Sequence, residues 1–445
     1  MSSWTIPAVL ATWITRLQGM VDARLRHLFG LVFCGLLLTR ERRRTCTSWF
    51  RAADIGRDFQ RAYRTVCLAG RQAGSMALSV LFDIARSPAA AASDRIKLAI
   101  DDTPTRRYGP EVEGAGIHHN PTPGPAQHAF VYGHVWVTLA WLVDHAAWGT
   151  IALPIRSDLY VRRKDLPNIP AGRRPPFCTK LEQAVGLIDW AARMLAHLGK
   201  PLWLAVDGGY ANRQVIDAAR RNGVTLVGRL RKDAALSGLP GPRPAGKRGR
   251  PATYGDAAVS LAKRGGHKQG WRSERMTLYG KPVTKTCKTF LATWKPARGV
   301  IRVVLVKEDD GWLAFFCTAP DATAAEVLGM VADRNSLEQT FKDVKDVGGA
   351  GQQQVRNLHA NVGAWHMNLW AYTLVELWAW NEPEDDLIDR RRSPWDHEPR
   401  RPSHADRRKA LRRRCLREEF QAARTGPGQR RKLADLAERL MLLAA

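Results

Sequence analysis

The sequence predicts an α/β protein built on a mixed sheet, and three observations carry that prediction. Short apolar runs with strand patterning alternate with amphipathic stretches between about residues 94 and 229. A region rich in Ala, Leu and Arg, without strand alternation, precedes them. A second set of strand-like runs follows before helical spacing returns. At 445 residues and 45% hydrophobic, the chain is long enough for two or three domains and too apolar for wholesale disorder.

Residues 1–90 read as a helical domain, with apolar residues at helical spacing over Trp13–Phe33 and Phe59–Ile84. Within it Arg40–Arg44, followed by Trp49, Phe50 and Arg51, is either a DNA-facing segment or a solvated helical surface. Lys97–Ile100 is a short strand ending in Asp101-Asp102-Thr103, and a polar loop rich in Pro and Gly covers 104–127. Strands over Phe130–Val143 and Thr150–Ile155 flank a turn at Asp144–Gly149. Phe177–Leu198 is an amphipathic helix, and Leu202–Val206 is a buried strand stopped by Asp207-Gly208-Gly209. A helix over 211–222 and a strand over Val224–Val227 follow. The order β-β-β-α-β-α-β is that of an RNase H-like fold, a mixed sheet with helices on both faces, and it leaves one helix owed. Before that helix, residues 230–320 are first Pro-rich and basic. They then alternate as strands at Met276–Leu278, Thr286–Trp294, Val300–Val306 and Trp312–Cys317, the pattern of a β-rich insertion in the last crossover. Ala324–Asp346 supplies the missing helix, and Gln352–Trp380 is a further buried one. The expected divisions are therefore 1–90, 91–229, 230–320, 321–382 and a basic tail at 383–445, which from Arg390 onward holds 17 Lys and Arg against 7 Asp and Glu.

Lys and Arg number 69 against 42 Asp and Glu, a net charge of +27. Such a surplus implies a polyanionic partner, and nucleic acid is the commonest. A membrane is not expected: the longest apolar run, Leu28–Leu38, has 11 residues, short of the ~20 that span a bilayer. No small-residue cleavage site follows it. Seven scattered cysteines (34, 46, 67, 178, 287, 317 and 415) form no CxxC pair, which suits reduced thiols and a cytoplasmic, nucleoid-associated location. The chain has no P-loop, GxGxxG or G-x-S-x-G motif, and the spacing of His118, His119, His128 and His134 is not that of a zinc site.

The candidate chemistry rests on acidic residues. Asp101 and Asp207 close the first and fourth strands, which are neighbours in such a sheet, and ligands of α/β sheets bind beyond the carboxyl ends of strands. Adjacent carboxylates repel unless a cation sits between them. Hard divalent cations favour oxygen ligands, and two Mg²⁺ ions ~3.5–4 Å apart can activate a nucleophile and stabilise a leaving oxygen on phosphorus. Glu338 supplies a third carboxylate. With Arg334 and Lys345 it falls within about 40° on one helix line, beside the apolar stripe of Leu337, Phe341 and Val344. Asp101, Asp207 and Glu338 are thus the candidate catalytic and metal-holding residues, with Arg334 and Lys345 as phosphate binders. Plainer readings exist: Asp207 as a turn former, Glu338 as an i,i+4 partner of Arg334, and Asp102 in place of Asp101. Arg248-Gly249-Arg250-Pro251 matches the R-G-R-P core of minor-groove hooks, which would set Arg248 and Arg250 against A·T DNA; a solvated loop is the alternative.

These residues resemble those of DDE transposases of bacterial insertion sequences. In one branch the last acid lies in Y-x2-R-x3-E-x6-K, and here the chain reads Val331-x2-Arg334-x3-Glu338-x6-Lys345, with Val331 at the Tyr position. The family's D-x-T strand end is matched by Asp101-Asp102-Thr103, and its second Asp, followed by a small residue and an aromatic, by Asp207-Gly208-Gly209-Tyr210. The resemblance covers about 94–380. It implies cut-and-paste transposition: cleavage at element ends and strand transfer with two Mg²⁺ ions, Mn²⁺ able to substitute. It also implies duplex DNA as partner (terminal inverted repeats and target DNA) and a homodimer on DNA. Trp294 or Trp312 of the insertion would stack on a flipped base. An RNase H-like nuclease or resolvase without strand transfer is one alternative, and a catalytically inactive, sequence-specific DNA-binding protein is another.

Overall fold

The computed structural model describes residues 4–91, 93–119, 128–243, 248–388, 390, 395–396, 400–424 and 428–444. Six helices come first: α1 (Ala8–Gln18), α2 (Arg26–Leu38), α3 (Cys46–Ala52), α4 (Phe59–Arg71), α5 (Ala73–Ala85) and α6 (Pro88–Ala91). The 11-residue apolar run fills α2 and is buried on every side, as an all-round apolar helix must be.

Next come β1 (Ile96–Arg106), β2 (Gly116–His119), β3 (Phe130–His145), β4 (Gly149–Tyr160), α7 (Lys180–Leu195), β5 (Leu202–Val206), α8 (Arg213–Arg221) and β6 (Thr225–Leu230). In the sheet β4, β3, β1, β5 and β6 lie side by side. Strand β1 is antiparallel to β3 and parallel to β5, and β5 is parallel to β6. This mixed α/β arrangement is the RNase H-like fold. Strand β1 does not end at Asp101. It runs to Arg106 because β3 pairs with it from Lys97↔Leu142 to Arg106↔Gly133, so a polar stretch that reads as loop is held as strand by its neighbour. Strand β2 also lies within the expected loop, whose residues 120–127 fall outside the described set.

The intervening region holds β7 (Leu236–Ser237), β8 (Ala258–Val259), α9 (Leu261–Gly266), β9 (Arg272–Leu278), β10 (Lys281–Trp294), β11 (Gly299–Glu308) and β12 (Gly311–Cys317). These strands extend the same sheet, because β12 pairs antiparallel with β6 and hands the ladder on to β11 and β10. All twelve described strands form one sheet. The chain ends in α10 (Ala324–Asp346), α11 (Leu358–Ala379), α12 (Glu384–Leu387), α13 (His404–Arg424) and α14 (Gln429–Ala444). A Thr323–Glu326 capping box starts α10.

Alternation along the strands sorts the two faces of the sheet. Leu98, Ile100, Leu204 and Leu226 lie in the main core with Leu187 and Ile188 of α7 and Val215 and Ile216 of α8. The intervening residues face α10: Trp203, Ala205 and Val227 pack with Val327 and Leu328, while Ala99, Ala140 and Ala152 pack with Leu337 and Phe341. The main core also takes in α1–α5, α11 and α13, so the N-terminal helices share one interior with the sheet. Where α4 crosses α11 both contribute glycine. A Cβ on Gly70 would lie 1.8 Å from the His359 carbonyl oxygen, and one on Gly363 1.9 Å from that of Val66.

The C-terminal segment is not a solvated tail. Glu376 of α11, fully buried, accepts from Arg407 and from His404 Nδ1 (2.7 Å) of α13, and Arg408 is buried as well. Among the described residues no helix is long and apolar enough to cross a membrane.

Because the Gly363 contact is with backbone, which cannot rotate aside, Gly363→Ala is expected to destabilise the protein by about 3 kcal/mol. A lower denaturation midpoint by circular dichroism would register it.

Candidate active site

The alternation that packs α10 on the sheet also builds the site. On β1 the odd-numbered residues meet α10 in order: Lys97 Nζ pairs with Asp333 (2.6 Å) and Ala99 packs on Leu337 and Phe341. Asp101 then accepts from Arg334 Nη1, and Thr103 Oγ1 accepts from Lys345 Nζ (3.0 Å). The parallel register of β1 and β5 ends at Ile100↔Val206, so Asp101 and Asp207 are the next residues on neighbouring strands. Asp207 Oδ1 accepts from the Tyr210 amide (3.0 Å), which sets the turn that stops β5.

Asp102 faces the other way. Its Oδ1 accepts from the Tyr210 hydroxyl (2.8 Å) and its Oδ2 from Lys180 Nζ (2.7 Å) at the start of α7. Tyr210 therefore holds both acidic segments at once, the Asp207 turn by its amide and β1 by its hydroxyl. Lys180 was not singled out by sequence, and Tyr210 only as the aromatic of the Asp207 motif. The Tyr position was visible three residues after Asp207, but nothing in the sequence pairs it with Asp102.

Arg334 bridges two of the candidate acids: one nitrogen donates to Asp101 and the other to Glu338 Oε1 (3.1 Å). Arg334 and Asp101 are largely buried, whereas the Glu338 side chain is 61% exposed. Burial pushes the Asp101 carboxyl up to about 6, against the pull of Arg334 and with the Asp207 charge adding to the rise. Burial also lowers the pKa of Lys345.

These residues line one groove of about 1740 Å³ together with Arg43, Lys342 and Arg356. Lys342 lies four residues beyond Glu338, so helical spacing alone could have added it to the line. Four candidates lie elsewhere. Trp294 is 8% exposed, packs edge-on against Phe316 and sits in the main core, so it offers no free face to a base. Arg248 and Arg250 are exposed and do not line the groove; they follow residues 244–247, which are outside the described set. Trp312 is half-buried beneath Lys232, whose ammonium stands 5.1 Å from the ring centre.

Among the described residues no three His, Cys, Asp or Glu side chains converge on one point, since Glu338 lies along its helix against Arg334. The donor chemistry nevertheless fits a hard divalent cation. Asp101, midway along β1, and Asp207, just beyond β5, are oxygen donors on adjacent strands, and their mutual repulsion is what a cation would relieve.

The raised Asp101 carboxyl, pushed up chiefly by burial, gives a sign for stability. The folded Asp101 carboxyl titrates above its ordinary value of 3.8, so the fold binds the extra proton and metal-free stability falls as pH rises from about 4 to about 6. In EDTA at pH 8, Asp101→Asn is expected to stabilise the protein by about 1–3 kcal/mol, with the gap closing below pH ~4. Thermal unfolding across that range would measure it, and a variant melting at or below the parent at pH 8 would contradict it.

A family model described as DDE superfamily endonuclease matches residues 17–288, a span that contains Asp101 and Asp207 and stops before α10. No curated protein gives a significant match. Enzymes of this superfamily act on DNA and generally use divalent metal ions. With more than half its length matched and both Asp101 and Asp207 inside the match, the chain belongs to the DDE superfamily of endonucleases.

Proposed function

We propose that the protein is a DNA transposase, cutting at the ends of a mobile element and joining the freed ends to target DNA. The observation that supports this reading most is the line of Asp101, Arg334, Glu338 and Lys345 laid along a groove beside Asp207. Asp101, Asp207 and Glu338 would hold two Mg²⁺ ions, with Mn²⁺ able to replace them. When bound, the ions supply activation of the nucleophile and charge stabilisation at the leaving oxygen.

The remaining work falls to side chains of the chain itself. Arg334 presents a planar fork suited to two phosphate oxygens, and Lys345, steadied by Thr103, presents a point charge. Tyr210 and Lys180 act through Asp102 as positioning residues that keep the two acidic strand ends at fixed spacing. In the first step a water oxygen bonds to phosphorus, the P–O3′ bond breaks, and a 3′-hydroxyl is left. In the second that hydroxyl attacks a target phosphate and displaces another 3′-oxygen, so one phosphodiester forms as one breaks. The N-terminal helices and the strands of 230–320 would read terminal inverted repeats, with Arg248 and Arg250 in a minor groove. A homodimer would hold two ends together, in the cytoplasm where the DNA lies.

Purified protein with Mg²⁺ is expected to nick supercoiled DNA carrying the element ends, and Asp207→Ala to lower the rate by about a thousand-fold or more. Joining of a pre-cut end to a target plasmid separates a transposase from a nuclease or resolvase. Undiminished nicking by Asp207→Ala would remove the acidic pair from the chemistry, and DNA binding without cleavage by the parent would leave a binding protein.

A further inference from the structure

The α2–α3 loop and the first half of α13 bring a group of arginines together beside the groove. Arg408, buried, donates to three backbone carbonyls, those of Leu36, Leu37 and Val347. One turn later Arg412 donates to the Thr39 carbonyl (3.1 Å). Arg44 donates to the Asp346 carbonyl (3.4 Å) and keeps a buried Nε without a partner. Arg40 is exposed on the loop beside Arg412. The one acid of this loop, Glu41, is already held bidentately by Arg51 (2.7 and 2.9 Å).

The carbonyls come from the C-terminal ends of α2 and α10, which offer partial negative charge and no full countercharge. The charged groups acting on Arg412 are Arg40, Arg44 and Arg413, and those acting on Arg408 are Arg412 and Arg44. Burial and these like charges push Arg412 down to about 10 and Arg408 to about 9. Holding guanidiniums together without carboxylates is costly, and a polyanion binding across them offsets that cost.

The cluster is continuous with the groove. Arg43 lines it, and Arg44 packs on the turn after α10 so closely that a Cβ on Gly349 would lie 2.5 Å from the Arg44 Cβ. Gly349 has φ +79°, open to glycine on both counts. The cationic path therefore starts at the Lys345 end of the catalytic line and runs outward over Arg43, Arg44, Arg40 and Arg412.

We propose that Arg40, Arg43, Arg44 and Arg412 form a track for the sugar-phosphate backbone of duplex DNA leaving the groove past Lys345, gripping the flank of the substrate regardless of its sequence. Arg408 is the fixed base on which the track is laid. The inference rests on the reading of the groove as a DNA-cleaving site.

The test uses the full chain in EDTA, where no cleavage occurs. Fluorescence anisotropy would follow binding to a duplex of about 30 base pairs and arbitrary sequence over a range of KCl. Arg40→Gln with Arg412→Gln is expected to weaken binding about ten-fold at ~0.1 M KCl and to make the log–log salt dependence shallower by about 2, near 0.9 per phosphate contact. Equal charge removal at the exposed Arg193 of α7 and Arg213 of α8, by Arg193→Gln with Arg213→Gln, is expected to leave that slope unchanged. If Arg412→Gln disturbs the fold, Arg40→Gln alone, on an exposed loop side chain, must still lower the slope by about 1. A parent that binds duplex, with patch variants no different from the control pair, overturns the track and leaves the proposed function standing. A parent that does not bind duplex at all overturns both.

Discussion

Ala99, Ala140, Ala152 and Ala205 lie under α10 on one face of the sheet, and the closeness they permit is what the site depends on. With methyl groups beneath it, the helix settles near enough for Arg334 to reach Asp101 and for Lys345 to reach Thr103. Bulkier side chains would lift the helix as a rigid rod and part both contacts together. The same odd-numbered face that is apolar at residue 99 becomes acidic at 101, so one alternation provides both the seat of the helix and the carboxylate beneath it. The packing of the sheet and the placement of its chemistry are a single geometric fact.

Much of this was legible in the sequence, and the parts that were not share a cause. Leu202–Val206 reads as a strand because five apolar residues are bounded by Pro201 and by Asp207-Gly208-Gly209, a purely local signal. The α10 helix is equally local, with its capping box and its apolar stripe. The extension of β1 to Arg106 is not local, since Asp-Asp-Thr-Pro-Thr-Arg becomes strand only because β3 lies alongside. The opposite facing of Asp101 and Asp102 is likewise a matter of parity against α10, which no single segment contains. Trp294 was misplaced because an aromatic residue on a strand reads the same whether its face meets a core or a ligand. How the basic tail is anchored is not legible either, because carbonyls at distant helix ends and a buried Glu376 cannot be seen from a run of arginines.

Net charge alone therefore overstates the positive surface. Arg407 is spent on Glu376 and Arg408 on three carbonyls, both inside the protein. What remains outward is organised rather than diffuse: basic side chains collect along the groove and at the α2–α3 loop, where polyanions would meet fixed charges instead of a cloud. Glu376, with Arg407 and His404 around it, ties α13 to α11, and α11 crosses α4 through the paired glycines. Helices from the first hundred and the last fifty residues thus meet on one central helix.

The position of α10 in the chain also shapes how the protein is made. The helix is completed about 140 residues after β5 ends (346 − 206), which at ~5–20 residues per second is about 7–28 s of synthesis. Throughout that interval Ala99, Trp203 and Ala205 lack the helix that covers them, and Asp101 lacks its partner Arg334. The newly made sheet is consequently left open on one face until the covering helix arrives, and Asp101 meets its arginine only then.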